Sequence, residues 1–306
     1  MGKYIIRRLL QMIPVAIGTT FLIFAMVFAT GDPLSGRCGQ RPCSAAYVAR
    51  FTEEYHLDQP LIVQYGYYLG KLVQGDLGTN FFGNKVTDEL AARYPTTITL
   101  ALLAVAFELV IGILAGVLTG IRRGGFLDNL VLVSTLVVIS IPVFVIGALA
   151  QLTFGVKLGL FPITATNGTL SELILPAMVL GALSVAYVAR LTRGNVVENL
   201  RSDYVRTAKA KGLTPTRIVG VHTLRNSLIP VITFVGADLG TLMGGAIVTE
   251  RIFNINGVGS FIYRSIVQRD GTSVVGAVTV LVLIFLLANL LVDILYGVLD
   301  PRISND

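Results

Sequence analysis

Six stretches of the chain run for seventeen residues or more with at most one charged side chain: residues 9–30, 94–121, 129–156, 173–189, 226–249 and 271–299. The exceptions inside them are single acids, Glu108, Asp238 and Asp293. A helix rises 1.5 Å per residue, so about 20 apolar residues cross the ~30 Å hydrocarbon core of a bilayer. Each stretch therefore predicts one transmembrane helix, with 173–189 at the short limit. Pro142 in the third stretch and Pro176 in the fourth predict kinks. The first stretch follows Lys3, Arg7 and Arg8, as a secretory signal does. At 22 residues it exceeds a signal core, and no small-x-small cleavage site precedes Gly31, so it reads as an uncleaved helix rather than a cleaved leader.

Composition agrees with this pattern. Hydrophobic residues make up 54% of the 306 and charged residues only 14%, against about a quarter in soluble domains. The chain has no Trp, so any aromatic belt must come from its 11 Tyr. The basic balance does not point to nucleic acid, because the basic residues divide by membrane side instead of forming one patch. With the N-terminus inside, the inner segments hold 14 of the 24 Lys and Arg against five acids, while the outer segments balance to zero. The short loop with Arg122 and Arg123 fixes this direction best, and both termini are then cytoplasmic.

Two connections are longer than helix packing requires. Residues 31–93 predict a small extracytoplasmic subdomain, with a helix over 45–56 and turns at Gly31-Asp32-Pro33, Gly75-Asp76 and Gly83-Asn84. Such a subdomain can meet a partner or serve as a rigid cap. Cys38 and Cys43 lie in it, and an oxidising compartment favours a disulfide over free thiols. A metal site lacks ligands, since His56 is the only nearby addition.

The second long connection, 190–225, is cytoplasmic and strongly basic. Ser202 or Asp203 can cap a short helix through Tyr204, Val205, Ala208 and Lys211, with Gly212 at its C′ position, and Thr214-Pro215 can start another. Tyr204, Val205 and Ala208 share one face; Arg206, Lys209 and Arg217 point elsewhere. Periodicity alone fits a groove on a soluble partner and an anionic membrane surface equally.

The segments Asp203-Tyr-Val-Arg-Thr-Ala-Lys-Ala-Lys-Gly212 and His222-Thr-Leu-Arg-Asn226-Ser-Leu-Ile-Pro230 resemble the cytoplasmic loop of ABC importer permeases, in the dipeptide/oligopeptide branch that also has nickel-type relatives. Gly212 and Ala208 fit the general importer pattern. Arg206 and Thr207 depart from it, as do His222, Leu224 and Arg225, which resemble the peptide branch's own version. Further similar segments are Tyr4-Ile-Ile-Arg-Arg-Leu-Leu, Gly31-Asp32-Pro33, His56-Leu-Asp-Gln-Pro, Gly75-Asp-Leu-Gly78, Ala189-Arg-Leu-Thr-Arg193, Glu250-Arg-Ile-Phe-Asn254, Gly257-Val-Gly259 and Leu299-Asp-Pro-Arg302. Their order covers most of the chain.

The resemblance implies an all-α integral membrane protein, type I ABC importer permease-like, in a bacterial plasma membrane. Residues 1–30 form the N-terminus and first span, 31–93 the outer subdomain, and 94–306 a five-helix core carrying the coupling loop at 190–225. It implies a second homologous permease, two ATPase domains, an extracytoplasmic substrate-binding protein and a peptide substrate. Asp203, Tyr204, Val205, Arg206, Ala208, Lys209, Lys211 and Gly212 would then seat on the ATPase, with His222, Leu224, Arg225 and Asn226 continuing the loop. Phe253, Asn254, Gly257 and Gly259 would face the binding protein. ATP and magnesium would sit on the partners. The chain's own Gly-Lys pairs, Gly2-Lys3 and Gly70-Lys71, precede Tyr4 and Leu72 and make no phosphate loop.

Acids within a bilayer are costly and usually face a cavity, a bundle interior or a partner. Asp238, among Gly236, Gly240, Gly244 and Gly245, and Glu108 are candidates for the translocation pathway or for structural hydrogen bonds. An ion-coupled secondary transporter would call for inverted repeats, which are not evident. A membrane enzyme would call for a catalytic cluster, yet His56 and His222 fall on opposite sides and no Gly-x-Ser-x-Gly elbow occurs.

Overall fold

The computed structural model describes residues 2–29 and 43–299. In chain order its helices are α1 (Gly2–Phe28), α2 (Ala45–Tyr55), α3 (Leu61–Val73), α4 (Val86–Phe107), α5 (Ile113–Ile121), α6 (Phe126–Ser140), α7 (Val143–Ala150), α8 (Leu170–Asn199), α9 (Asp203–Ala210), α10 (Pro215–Arg217), α11 (Leu224–Ser227), α12 (Ile229–Ile252), α13 (Val258–Val267) and α14 (Gly271–Leu299). Wider π-helical turns at Glu108–Gly112, Gln151–Lys157 and Ile218–Thr223 join several of them. Among the described residues the only β contact is the isolated bridge Thr79–Lys85.

Among the described residues four helical stretches are long and apolar enough to cross a membrane, and the number reaches six if each of two bent pairs is one span. The bends refine the sequence expectation. The third span is broken rather than kinked: α6 and α7 meet at 106°. Pro142, at the N-cap of α7, has no N–H to continue the helix, and Ile141 before it is extended. The fifth span bends by 45° where α11 meets α12. By contrast, α8 runs unbroken through Pro176 and continues ten residues past Ala189. The charge-free run therefore underestimates this helix, because Arg193 and Glu198 lie within it. Likewise α4 begins at Val86, so residue 93 falls inside a helix rather than at the end of the outer subdomain.

By compactness the chain divides into Met1–Thr97 with Asn256–Asp306, and Ile98–Ile255. In the first unit α1 packs along α14. Phe24, Tyr65 and Val275 form its small core, which α3 covers. Two hydroxyl pairs pin α3 in place: Thr20 with Tyr65 at 2.7 Å, and Tyr68 donating to Thr279 Oγ1 at 2.7 Å. Burial pushes the Tyr68 phenol up to about 12. Helix α2 ends as expected, with His56 in the left-handed region.

In the second unit α8 is the central element. Gly112, Gly116 and Gly120, four residues apart, let α5 and its preceding π-turn lie directly on α8. A Cβ on Gly116 would stand 2.4 Å from Thr192 Cβ and 2.6 Å from the Ala189 carbonyl oxygen. Small residues at this spacing allow helix backbones to approach closely in a membrane. Leu100, Leu173, Leu175, Leu242 and Phe253 build the larger core. Gln151 Nε2 closes one end by donating to the Ile163 and Ile252 carbonyls, at 2.8 and 3.0 Å.

Candidate functional site

The loop between the fourth and fifth spans folds as a small, anchored unit. Ser202 occupies the N-cap of α9 in extended conformation, but its side chain makes no cap bond; its Oγ donates back to the Asn199 carbonyl at 2.6 Å. Gly212, at φ +73, takes the left-handed position just past the helix. Leu213 N–H then bonds the Ala208 carbonyl at 3.2 Å. Pro215 starts α10 at a position where its missing N–H costs nothing.

One side of α9 is fixed. Val205 and Ala208 are buried against Ile218 and Leu213. Tyr204, which the sequence places with them, is instead exposed and uses its hydroxyl to donate to Asn199 Oδ1 at 2.7 Å. A ring at this position cannot enter so small a cluster beside Ala208 without losing its hydroxyl's partner. Asp203, Arg206, Lys209 and Lys211 are all exposed. The Arg206–Asp203 pair, at 3.3 Å and fully solvated, adds little. The outcome is a two-turn helix with an apolar underside locked to its own loop and a charged side free to meet another molecule.

The continuation residues do not share one environment. His222 and Leu224 are half-buried around the end of the π-turn, whereas Arg225 and Asn226 are exposed. Sequence reasoning passed over Asn199 and Ser227. Asn199 Nδ2 donates to the buried Ser227 Oγ at 3.1 Å, which ties the end of α8 to α11. Their only signal was that polar residues end a long apolar helix.

The intramembrane acids differ from one another. Asp238 is partly buried and accepts from Ser184 Oγ at 2.5 Å. Glu108 is completely buried in its π-turn, and neither carboxyl oxygen has a hydrogen-bond partner among the described residues.

The loop residues expected to meet a binding protein are mostly interior. Phe253 is fully buried, and its carbonyl accepts from Ala165 N at 2.8 Å. Asn254 is exposed at φ +52. Gly257 and Gly259, at the start of α13, are buried. The expected Cys38–Cys43 disulfide lies outside the described residues, since Cys38 is not among them. The side chain of Asp293 also lies outside them. Among the described residues no group of His, Cys, Asp and Glu could hold a metal.

Residues 109–305 match the family described as binding-protein-dependent transport system inner membrane component, and residues 1–101 match its N-terminal companion. The di/tripeptide transport system permease protein DppB of Pseudomonas aeruginosa is 38% identical over 334 residues, covering 100% of this chain and 99% of its own. The dipeptide permease DppB of Escherichia coli K12 is 36% identical, with 100% and 99% covered. The glutathione permease GsiC of Pectobacterium atrosepticum is 37% identical, with 99% of each covered. A chain of the MetNI methionine ABC transporter, solved in inward-facing conformations, shares the fold with a TM-score of 0.57 at 20% identity, covering 69% of this chain and 96% of that one.

Proposed function

Because the chain belongs to the family of binding-protein-dependent transport system inner membrane components, we propose that it carries short peptides across a bacterial inner membrane as one half of a two-permease pathway, driven by ATPases that grip α9. It is a permease subunit of an ABC importer, and the family works with ATPase and substrate-binding partners. The names of its full-length relatives support the peptide substrate.

The observation that carries the ATPase contact is the two-sidedness of α9. Val205 and Ala208 bind it to its own loop, while Arg206, Lys209 and Lys211 stand exposed. A helix held in this way transmits a push as a unit. ATP and magnesium belong to the partner chains in this reading, and this chain supplies no catalytic group. Closure of the ATPases would move α9 and open the pathway outward; hydrolysis would reset it, as rigid-body alternating access. Both termini and α9 are cytoplasmic, because the basic surplus and the ATPases share that side. The substrate-binding protein then meets the opposite face, where exposed Asn254 remains available and a Cys38–Cys43 disulfide would survive.

The test is purification of the complex with Arg206→Glu and Lys209→Glu together. ATPase subunits and a second permease should copurify with the wild-type chain. The variant should lose the ATPases and peptide uptake while the permease pair stays assembled. Retained ATPase and normal uptake in the variant would remove α9 from the contact.

A further inference from the structure

Asp128 and Arg193 take no part in the site described above, yet they join α6 to the end of α8. Asp128, in the first turn of α6, is 1% exposed. Arg193 grips its carboxylate with two prongs, Nε to Oδ1 and Nη2 to Oδ2, the latter at 2.7 Å. The Gly124 N–H supplies a third donor, to Oδ2 at 2.8 Å. Gly124 sits at φ +80, a conformation that costs glycine little. One carboxylate thus fixes a helix start, a turn and a neighbouring helix.

Stability alone is a poor reason for this arrangement. Desolvating two charges roughly offsets their attraction, and well-packed apolar residues often serve as well. A planar two-pronged pair does better at fixing geometry. Its place in the chain indicates what that geometry serves. Arg193 lies six residues before Asn199, about 9 Å along the helix axis. Asn199 holds Tyr204 of α9, so a force on α9 enters α8 within two turns of Arg193. On the other side, α6 runs from Asp128 to Ser140 and ends at the 106° break before Pro142. Such a break between two rigid helices is where backbone dihedrals can absorb a change of direction.

We propose that Asp128 and Arg193 are positioning residues that fasten α6 to the α8–α9 lever, so that a stroke delivered at α9 reaches the break at Ile141 and Pro142. This rests on the reading of α9 as the ATPase contact. Without the clamp α6 lags behind α8, and ATP is hydrolysed without productive opening.

The test uses the full complex of both permeases, ATPases and binding protein in proteoliposomes, with dipeptide uptake and ATP hydrolysis measured side by side. Asp128→Asn should lower uptake per ATP by about tenfold, within the usual range of coupling between sites, while the ATPases still copurify. The double variant Asp128→Asn with Arg193→Gln removes both charges, leaves none buried alone and so keeps the fold. It should show the same loss as the single variant, because the two residues act as one unit. A structural role would reduce yield and melting temperature but leave uptake per ATP unchanged in the complexes that form; that result in the double variant overturns the clamp. The α9 reading fails separately: ATPase retained with normal uptake in the Arg206→Glu, Lys209→Glu variant sinks it, whatever Asp128 does.

Discussion

The Tyr204 hydroxyl donates to Asn199 Oδ1 at 2.7 Å, while Nδ2 of the same amide donates to Ser227 Oγ at 3.1 Å. One side chain at the end of α8 therefore holds both α9 and α11. Asn199→Ala cuts both ties and leaves Ser227, fully buried, with only its bond to the Thr223 carbonyl. Each lost bond of this kind costs about 1 kcal/mol. Peptide uptake by the reconstituted complex should fall severalfold, and Tyr204→Phe, which removes only the α9 tie, should lose less. Equal effects of the two variants would place the function of Asn199 at α9 alone.

The seam between α5 and α8 can be tested by volume. Gly116→Val adds atoms where a single Cβ already stands 2.4 Å from a side-chain carbon and 2.6 Å from a backbone oxygen. Overpacking against a rigid backbone costs roughly 1–3 kcal/mol. The melting temperature of the purified permease in detergent should drop by several degrees. Gly18→Ala in α1 is the matched control, since nothing lies within 4 Å of its Cβ position. It should leave melting unchanged or raise it slightly, because alanine loses less entropy in a helix.

The spans were legible in the sequence, whereas the glycine seam between α5 and α8 was not. Charge-free runs locate spans because the bilayer imposes length and polarity together. They misjudge ends wherever a charge is paired or lies beyond the apolar phase, as Arg193 and Glu198 do in α8. Gly212 announced its left-handed turn, since few other residues take that conformation cheaply. Pro142 announced a disturbance but not its size: the 106° break also depends on the packing of α7 against α8 and α12, which no local pattern encodes. The π-turns and the ties at Asn199 and Asp128 are tertiary features. Their residues look ordinary in sequence, because what distinguishes them is a partner 28 or 65 positions away.

Tyr68 predicts an alkaline limit to stability. Burial raises its folded-state value to about 12, against about 10 in an unfolded chain, while the hydrogen bond with Thr279 works the other way. Between those values the unfolded state gives up the proton first, so stability is complete below about pH 10 and declines as pH rises toward 12. The loss should approach roughly 3 kcal/mol, since each unit of displacement is worth about 1.4 kcal/mol. Melting followed against pH should show this decline in the wild type and a flatter curve in Tyr68→Phe. Parallel curves would assign the alkaline limit to other groups.

Glu108 supplies the sharpest contrast between stability and use. It is fully buried in a π-turn inside the membrane, and its two oxygens have no partner among the described residues. A polar group in that position costs the fold roughly 1–3 kcal/mol at least, and an apolar side chain of similar length would remove the cost. Glu108→Leu should therefore raise the melting temperature of the purified chain. A residue kept despite such a cost serves something other than folding; we propose that it is a polar point in the translocation pathway, as Asp238, which accepts from Ser184, would be. If so, the more stable Glu108→Leu chain should import peptide more slowly, in line with the usual exchange of stability for activity at working sites. Asp238→Asn separates the roles at the second acid, because an amide oxygen can still accept from Ser184 while the charge is gone. Slower uptake with unchanged melting assigns Asp238 to the pathway. Normal uptake and unchanged peptide preference in both variants would remove the two acids from the pathway.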